Sequence, residues 1–234
     1  MKRLSVLLAI IMLIASTSLV SAANWKDGTY EAWSDASDKS MNYAKVFIKD
    51  GKITGVILRE YNNYLVEKDY ASYPFQLYRE ALRTHAPKYV AAQGADVDLV
   101  TSATGSTTGW NQAVERALLK ADPNYNPGKT YFDGTFMGRS ETGDRNYYEV
   151  VWVTIKDDKI VDMKFQRVSM EPTELKIVEL EDYPWPLLGP AREQYKENAI
   201  KAAPGEADLV TGATGSSKMW DNAVLDALDR ARIR

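Results

Sequence analysis

The sequence predicts an α+β protein made of two tandem copies of one domain, each an antiparallel sheet with flanking helices. Three observations lead there. A polar stretch running from Asp98 to Ser106, DLVTSATGS, returns from Asp208 to Ser216 as DLVTGATGS, an offset of 214 − 104 = 110 residues between the second threonines. A hairpin-type alternation of apolar and polar residues occurs once in each half, and apolar residues at helical spacing follow each polar stretch. A repeat of this length is domain-sized rather than solenoid-sized, so two independently folded copies are expected.

The 234 residues, 45% hydrophobic and 26% charged, suffice for ordinary globular cores. A net charge of −3 gives no basic stripe for a phosphate backbone, so nucleic acid is not an expected partner. The absence of cysteine excludes disulfides, cysteine-held iron–sulfur clusters, C-x-x-C-H haem attachment and a lipid-bearing cysteine. His85 is the single histidine, which leaves no histidine pair for zinc and no repeated histidine for chemistry done twice. Electrons, if this protein moves them, require an organic cofactor.

At the N-terminus Lys2 and Arg3 precede an apolar run from Leu4 to about Ile14 and a small-residue tail ending at Ala22-Ala23, the pattern of a cleaved secretory leader. The organisation expected is a leader over 1–22, a first domain over 23–122, a linker over 123–129 with Pro127 and Gly128, and a second domain over 130–234. An uncleaved anchor is the alternative, because Leu4 to Val20 is just below spanning length. On either reading the bulk of the chain is extracytoplasmic, in a periplasm or on the outer face of the cytoplasmic membrane.

Asp27-Gly28-Thr29-Tyr30 reads as a turn entering a strand and is matched by Asp133-Gly134-Thr135-Phe136. Tyr43 to Lys49, Asp50-Gly51 and Lys52 to Arg59 form a hairpin pattern, repeated by Tyr148 to Lys156, Asp157-Asp158 and Lys159 to Arg167. The stretch after each hairpin reads as irregular. Phe75 to about Ala92, with a break or kink at Pro87, and Pro190 to Ala203 read as helices. The polar stretch reads as a loop, followed by a helix from Trp110 to Lys120 and its counterpart from Trp220.

Thr104-Gly105-Ser106-Thr107 and Thr214-Gly215-Ser216-Ser217 place hydroxyls and a glycine just before these helices, where free N–H groups and the helix dipole favour an anion such as phosphate. In a single copy, helix capping by Ser106, Thr107, Ser216 or Ser217 and Asx turns at Asp98 and Asp208 would account for the same residues. Capping tolerates Ser, Thr, Asp or Asn alike, however, and does not explain why the neighbours match as well.

Asp98 to Thr104 and Asp208 to Thr214 resemble the flavinylation motif of the FMN-binding domain family. That family occurs in the C subunit of the sodium-pumping NADH:quinone oxidoreductase, the G subunit of the Rnf complex and extracytoplasmic electron-transfer flavoproteins. The resemblance covers nearly the whole mature chain as two domains. It implies that Thr104 and Thr214 each carry FMN through a phosphoester bond, made by an FAD-dependent flavin transferase that alone needs magnesium, and that Asp98 and Asp208 serve this transferase. Thr101, Ser102, Ala103, Gly105 and Ser106, with Thr211, Gly212, Ala213, Gly215 and Ser216, complete the two attachment loops. Ser102 stands where the second copy has Gly212, and serine costs more there if the position needs a positive φ.

The aromatic pairs Tyr73 and Tyr183, Phe75 and Trp185, and Trp110 and Trp220 are candidates to face a flavin ring, with core packing as their other role. Trp185, held between Pro184 and Pro186, is the one placed beside the ring. The function implied is an electron carrier rather than a substrate-converting enzyme, relaying electrons from a membrane donor such as a quinol- or NADH-linked dehydrogenase to a downstream acceptor. The alternatives are a secreted anion-binding module and a carrier modified at Thr214 alone. A Ser or Thr hydrolase would need a nearby base, and His85 has Tyr195 at the equivalent position.

Overall fold

Two-residue turns set the register of both sheets in the computed structural model, which describes residues 25–181 and 183–234; the expected leader lies outside the described residues. Asp50 and Gly51 have φ of 52° and 67°, and Asp157 and Asp158 have 49° and 58°. Positive φ at both central residues matches the right-handed twist of the strands they join. Around the first turn are β1 (Gly28–Trp33), β2 (Ser40–Lys49) and β3 (Lys52–Asn62), antiparallel in that order. Around the second are β4 (Gly134–Arg139), β5 (Tyr147–Lys156), β6 (Lys159–Met170) and β7 (Leu175–Val178), again antiparallel in sequence order. Each long hairpin carries one register irregularity at the same place, Phe47/Ile48 and Thr154/Ile155.

The opening Asp-Gly pairs clamp these turns from outside. An Asp27 carboxylate oxygen accepts the Gly51 N–H at 3.0 Å, and an Asp133 oxygen accepts the Asp157 N–H at 2.9 Å. Backbone hydrogen bonds hold the Asp27 carboxyl below the usual aspartate range, and Lys129 does the same for Asp133.

The helices follow the sheets in chain order: α1 (Gln76–Ala92) and α2 (Thr104–Ala121), then α3 (Leu188–Lys201) and α4 (Thr214–Ala231). The chain is thus α+β with two antiparallel sheets and four helices among the described residues. Trp110, Ala113, Val114 and Ala117 are buried with Ala44, Val46 and Ile53, and Trp220, Ala223, Val224 and Ala227 with Val151, Val153 and Ile155. A further cluster draws on both halves, joining Met41 and Leu65 to Met137, Tyr148, Val150, Trp152 and Val168. β5 is therefore covered on both faces, which is why it reads as a nearly continuous apolar run. No helix among the described residues is long and apolar enough to cross a membrane.

Four details differ from the sequence reading. α2 and α4 begin at Thr104 and Thr214, so each motif threonine is the first residue of a helix and not part of the loop. α1 runs through Pro87 without a break, since that exposed position forfeits only one backbone bond. α3 starts at Leu188, which puts Pro190 in the first turn, where an N–H would be free in any case. The stretch after β6 is not irregular: it forms β7, whereas the first half makes a single bridge, Tyr61 to Glu67.

Lys120, in the last turn of α2, is desolvated enough for its ammonium to fall from 10.5 to about 8, with Asp229 and Glu31 opposing the shift. Below pH 8 the group is charged in both the folded and the unfolded chain. Between about 8 and 10.5 the unfolded chain holds a proton that the folded one has released, so stability rises with pH, on the order of 1 kcal/mol per unit. Burial holds the hydroxyls of Tyr43, Tyr78, Tyr89 and Tyr195 well above the ordinary 10.0, so the trend reverses where unfolded tyrosines ionise first. Denaturant melts across this window should show the rise in the native chain and not in Lys120→Met; equal slopes would refute the assignment.

Candidate functional site

Both motif loops have the same backbone. Ala103 N–H donates to Val100 O, and Ala213 N–H to Val210 O, each at 3.0 Å, closing a four-residue turn. Its third residue is left-handed in both copies, Ser102 at φ 68° and Gly212 at φ 80°. That is the type II pattern, which favours glycine at this position. The position does require a positive φ, and the first copy meets the requirement with a serine.

Thr107 and Ser217 are not caps. They lie within the first turn of α2 and α4, buried, and each hydroxyl donates back to a carbonyl, Ala103 O at 3.1 Å and Ala213 O at 3.0 Å. The same oxygens accept the N–H of Val100 at 3.3 Å and of Val210 at 3.1 Å, fastening the loop to its helix. The cap positions belong to Ala103 and Ala213, whose methyl groups accept nothing. The N–H groups of Thr104, Gly105 and Ser106, and of Thr214, Gly215 and Ser216, accordingly have no hydrogen-bond partner among the described residues.

The far end of each loop is tied down at matching positions. Lys88 Nζ donates to Asp98 O at 3.0 Å, and Asn198 Nδ2 donates to Asp208 O at 2.9 Å. The Asp98 and Asp208 side chains are exposed and make no hydrogen bond among the described residues, so neither forms an Asx turn. Thr101 and Thr211 are also exposed.

In the second half the loop forms one side of a cavity of about 430 Å³. Gly212, Ala213, Thr214, Gly215 and Ser216 line it together with Tyr183 and Trp185. Asp208 and Thr211 do not line it. Tyr147, Met219 and the turn Gly143-Asp144-Arg145 complete the wall, and sequence reasoning missed all of them. The loop between β4 and β5 departs from the repeat in just this region, which is the one signal that could have found it. Of the two roles open to Trp110 and Trp220, the structure gives them core packing: both are 0% exposed, pointing from the second turn of their helices onto the sheet. Phe75, matched to Trp185, is 48% exposed.

Behind the cavity wall sits a buried ion cluster. Arg167 lies directly across from Glu149 in the β5–β6 pairing, and its Nε donates to Glu149 Oε1 at 2.6 Å. Arg192 reaches the other carboxylate oxygen at 3.3 Å. Burial pushes the Glu149 carboxyl upward, and the two guanidinium groups oppose that shift. The Arg167 guanidinium is sandwiched between the rings of Tyr147, at 4.2 Å, and Tyr183, at 4.7 Å. Its Nη2 donates to Ser216 Oγ at 3.1 Å, while Nη1 is buried without a partner among the described residues.

The first half is built differently at the same positions. Glu60 occupies the place of Arg167 and Asn42 that of Glu149, since 167 − 60 = 107 and 149 − 42 = 107, and the two again face each other across a hairpin. Ser106 Oγ donates to Glu60 Oε2 at 2.6 Å, and Lys68 pairs with the other oxygen. The Lys68 ammonium lies over Tyr73, the counterpart of Tyr183, at 5.2 Å.

His85 belongs to the core. Its Nε2 meets Asn111 Oδ1 at 2.9 Å, and the same oxygen accepts the Tyr89 hydroxyl at 2.7 Å, which places the imidazole proton on Nε2. Burial holds its pKa below the ordinary histidine value. Its ring bonds an amide and not a Ser or Thr hydroxyl, so it activates no nucleophile here.

No protein-family model matches the chain, and no curated protein matches it. Among solved structures, the crystal structure of the CPE2226 protein from Clostridium perfringens is similar at 23% identity over 44% of this chain and 93% of its own, with a TM-score of 0.36.

Ser102 carries the cost of a left-handed residue, about 1 kcal/mol. Ser102→Gly should raise the melting temperature and Gly212→Ser should lower it, each by that order of energy. Unchanged melting in both variants would show that the turn does not hold this strain.

Proposed function

We propose that the chain is an extracytoplasmic electron-transfer flavoprotein made of two FMN-binding-type domains, with FMN joined to Thr104 and Thr214. The observation that carries this reading is the position of Thr214. It is the first residue of a helix without a cap and lines a cavity walled by Tyr147, Tyr183 and Trp185. Thr104 occupies the same place on α2.

The residues present suit the group. Three unpaired N–H groups and the helix dipole accommodate phosphate charge, and flat aromatic faces accommodate an isoalloxazine ring. A cavity of about 430 Å³ lies in the range of small-molecule sites. When bound, FMN would supply reversible uptake and release of electrons. The chain's own part is to hold and shield. The Thr214 hydroxyl is the attachment atom, the first N–H groups of α4 receive the phosphate, and Tyr183 and Trp185 keep water from one side of the cavity. Arg167 positions Tyr147, Tyr183 and Ser216 together. The exposed Asp98 and Asp208 suit contact with a modifying enzyme, the FAD-dependent flavin transferase. Export through the N-terminal leader, a membrane donor and a downstream acceptor complete this reading.

A secreted anion-binding module would use the same N–H groups. It leaves the exposed, matched aspartates without a role, and for that reason ranks second.

Intact mass spectrometry of the chain secreted by cells that contain the transferase separates the two. The native chain should exceed its sequence mass by two FMN adducts and remain yellow after denaturation. Thr214→Ala and Thr104→Ala should each lose one adduct with unchanged melting. Two adducts on Thr214→Ala, or none on the native chain, would overturn the assignment.

A further inference from the structure

The two helix starts share a backbone but face opposite buried charge. At α4 the Arg167 guanidinium donates to Ser216 Oγ, so the serine oxygen is the acceptor and its own O–H proton is free. Ser216 lines the cavity, and this proton becomes a fourth donor beside the N–H groups of Thr214, Gly215 and Ser216. At α2 the polarity is reversed: Ser106 spends its proton on the Glu60 carboxylate. The surrounding charge follows the same division. Among the described residues, two guanidiniums oppose one carboxylate behind Ser216, whereas one ammonium opposes one carboxylate behind Ser106. Arg167 is 1% exposed and its Nη1 has no partner among the described residues, so among these it is an incompletely satisfied buried cation next to the helix start. The exchange sits on a shared frame, because the paired long strands, the bulge and the closing helix keep the same arrangement in both halves.

We propose that the two halves are unequal anion sites: the second captures the phosphate of a flavin nucleotide before any covalent bond forms, and the first does not. A dianionic phosphate at α4 meets a complete set of donors backed by excess positive charge. At α2 it meets the same three N–H groups with the hydroxyl donor already used and a carboxylate behind it. A difference of one unit of net buried charge separates the affinities by roughly tenfold or more. The inference rests on the proposed function only for the identity of the ligand; the inequality is a property of Glu60 and Arg167.

The experiment uses the full mature chain made in cells without the transferase. Inorganic phosphate and, separately, FMN are titrated while the backbone amides of Gly105 and Gly215 are followed by NMR. Gly215 should shift and saturate with either probe, and Gly105 should stay still. Arg167→Gln should abolish the Gly215 shift. Because a buried arginine also supports the fold, the deciding variant is Glu60→Gln, which keeps Arg167 and should make the Gly105 amide respond to phosphate. Equal shifts at both glycines, or none at Gly215, would overturn the proposal, as would a Glu60→Gln chain in which Gly105 remains silent. Exposure of the same samples to transferase and FAD keeps the two readings apart. Unequal phosphate binding with no FMN adduct refutes the flavin assignment and leaves this inference standing, while equal binding with two adducts does the reverse.

Discussion

Six backbone N–H groups, three at the start of α2 and three at the start of α4, have no partner among the described residues, and the local structure is arranged to keep them so. A helix ordinarily meets this requirement with a side chain at its cap. Here the cap is alanine, and the hydroxyls that could have served, on Thr107 and Ser217, are turned inward to hold the loop. The left-handed turn residue ahead of the cap is part of the same arrangement, since it brings the chain back over its own helix. Each feature has a stability cost, and each leaves donors facing outward.

In the scaffold that tolerates this, the halves complete one another. Tyr148 donates its hydroxyl to Tyr64 O, and Trp152 donates its indole N–H to Ser37 O, both at 2.9 Å. Arg116 spans the junction, donating to Trp33 O, to the Asp35 carboxylate and to Asp133 O. Met41, Met137, Tyr148 and Val150 are all 0% exposed, and neither half alone would cover them. The copies were read from the sequence as separate folding units; in the structure they share a buried face, and the two helix starts are held by one framework.

The two halves share backbone geometry and differ in side-chain charge. Turns, bulges, helix starts and the hydroxyl clasp recur in both halves, while the pair facing each other across the long hairpin changes from Asn42 and Glu60 to Glu149 and Arg167. A buried charge is tolerated only with partners, and each half supplies its own: Lys68 and Ser106 for Glu60, and Arg192 and Ser216 for the Glu149–Arg167 pair.

The sequence by itself determined the α+β character, the two hairpins, the repeated helices and the loop that starts each closing helix. Those features are local: turn residues fix φ, alternation fixes a strand's faces, and helical spacing fixes a buried stripe. It also singled out Trp185, because a loop bound by prolines has few ways to bury a large ring, and that residue lines the cavity beside the second motif. Only the tertiary structure decided that Trp110 and Trp220 are core, that the sheets cover each other, and that Tyr147 and Met219 complete a cavity with the second motif. It alone set Glu60 beneath one motif and Arg167 beneath the other. Glu60 and Ser106 are 106 − 60 = 46 residues apart, and Arg167 and Ser216 are 216 − 167 = 49 apart. Contacts across such separations depend on how a helix docks on a sheet, and no local pattern in the chain encodes that.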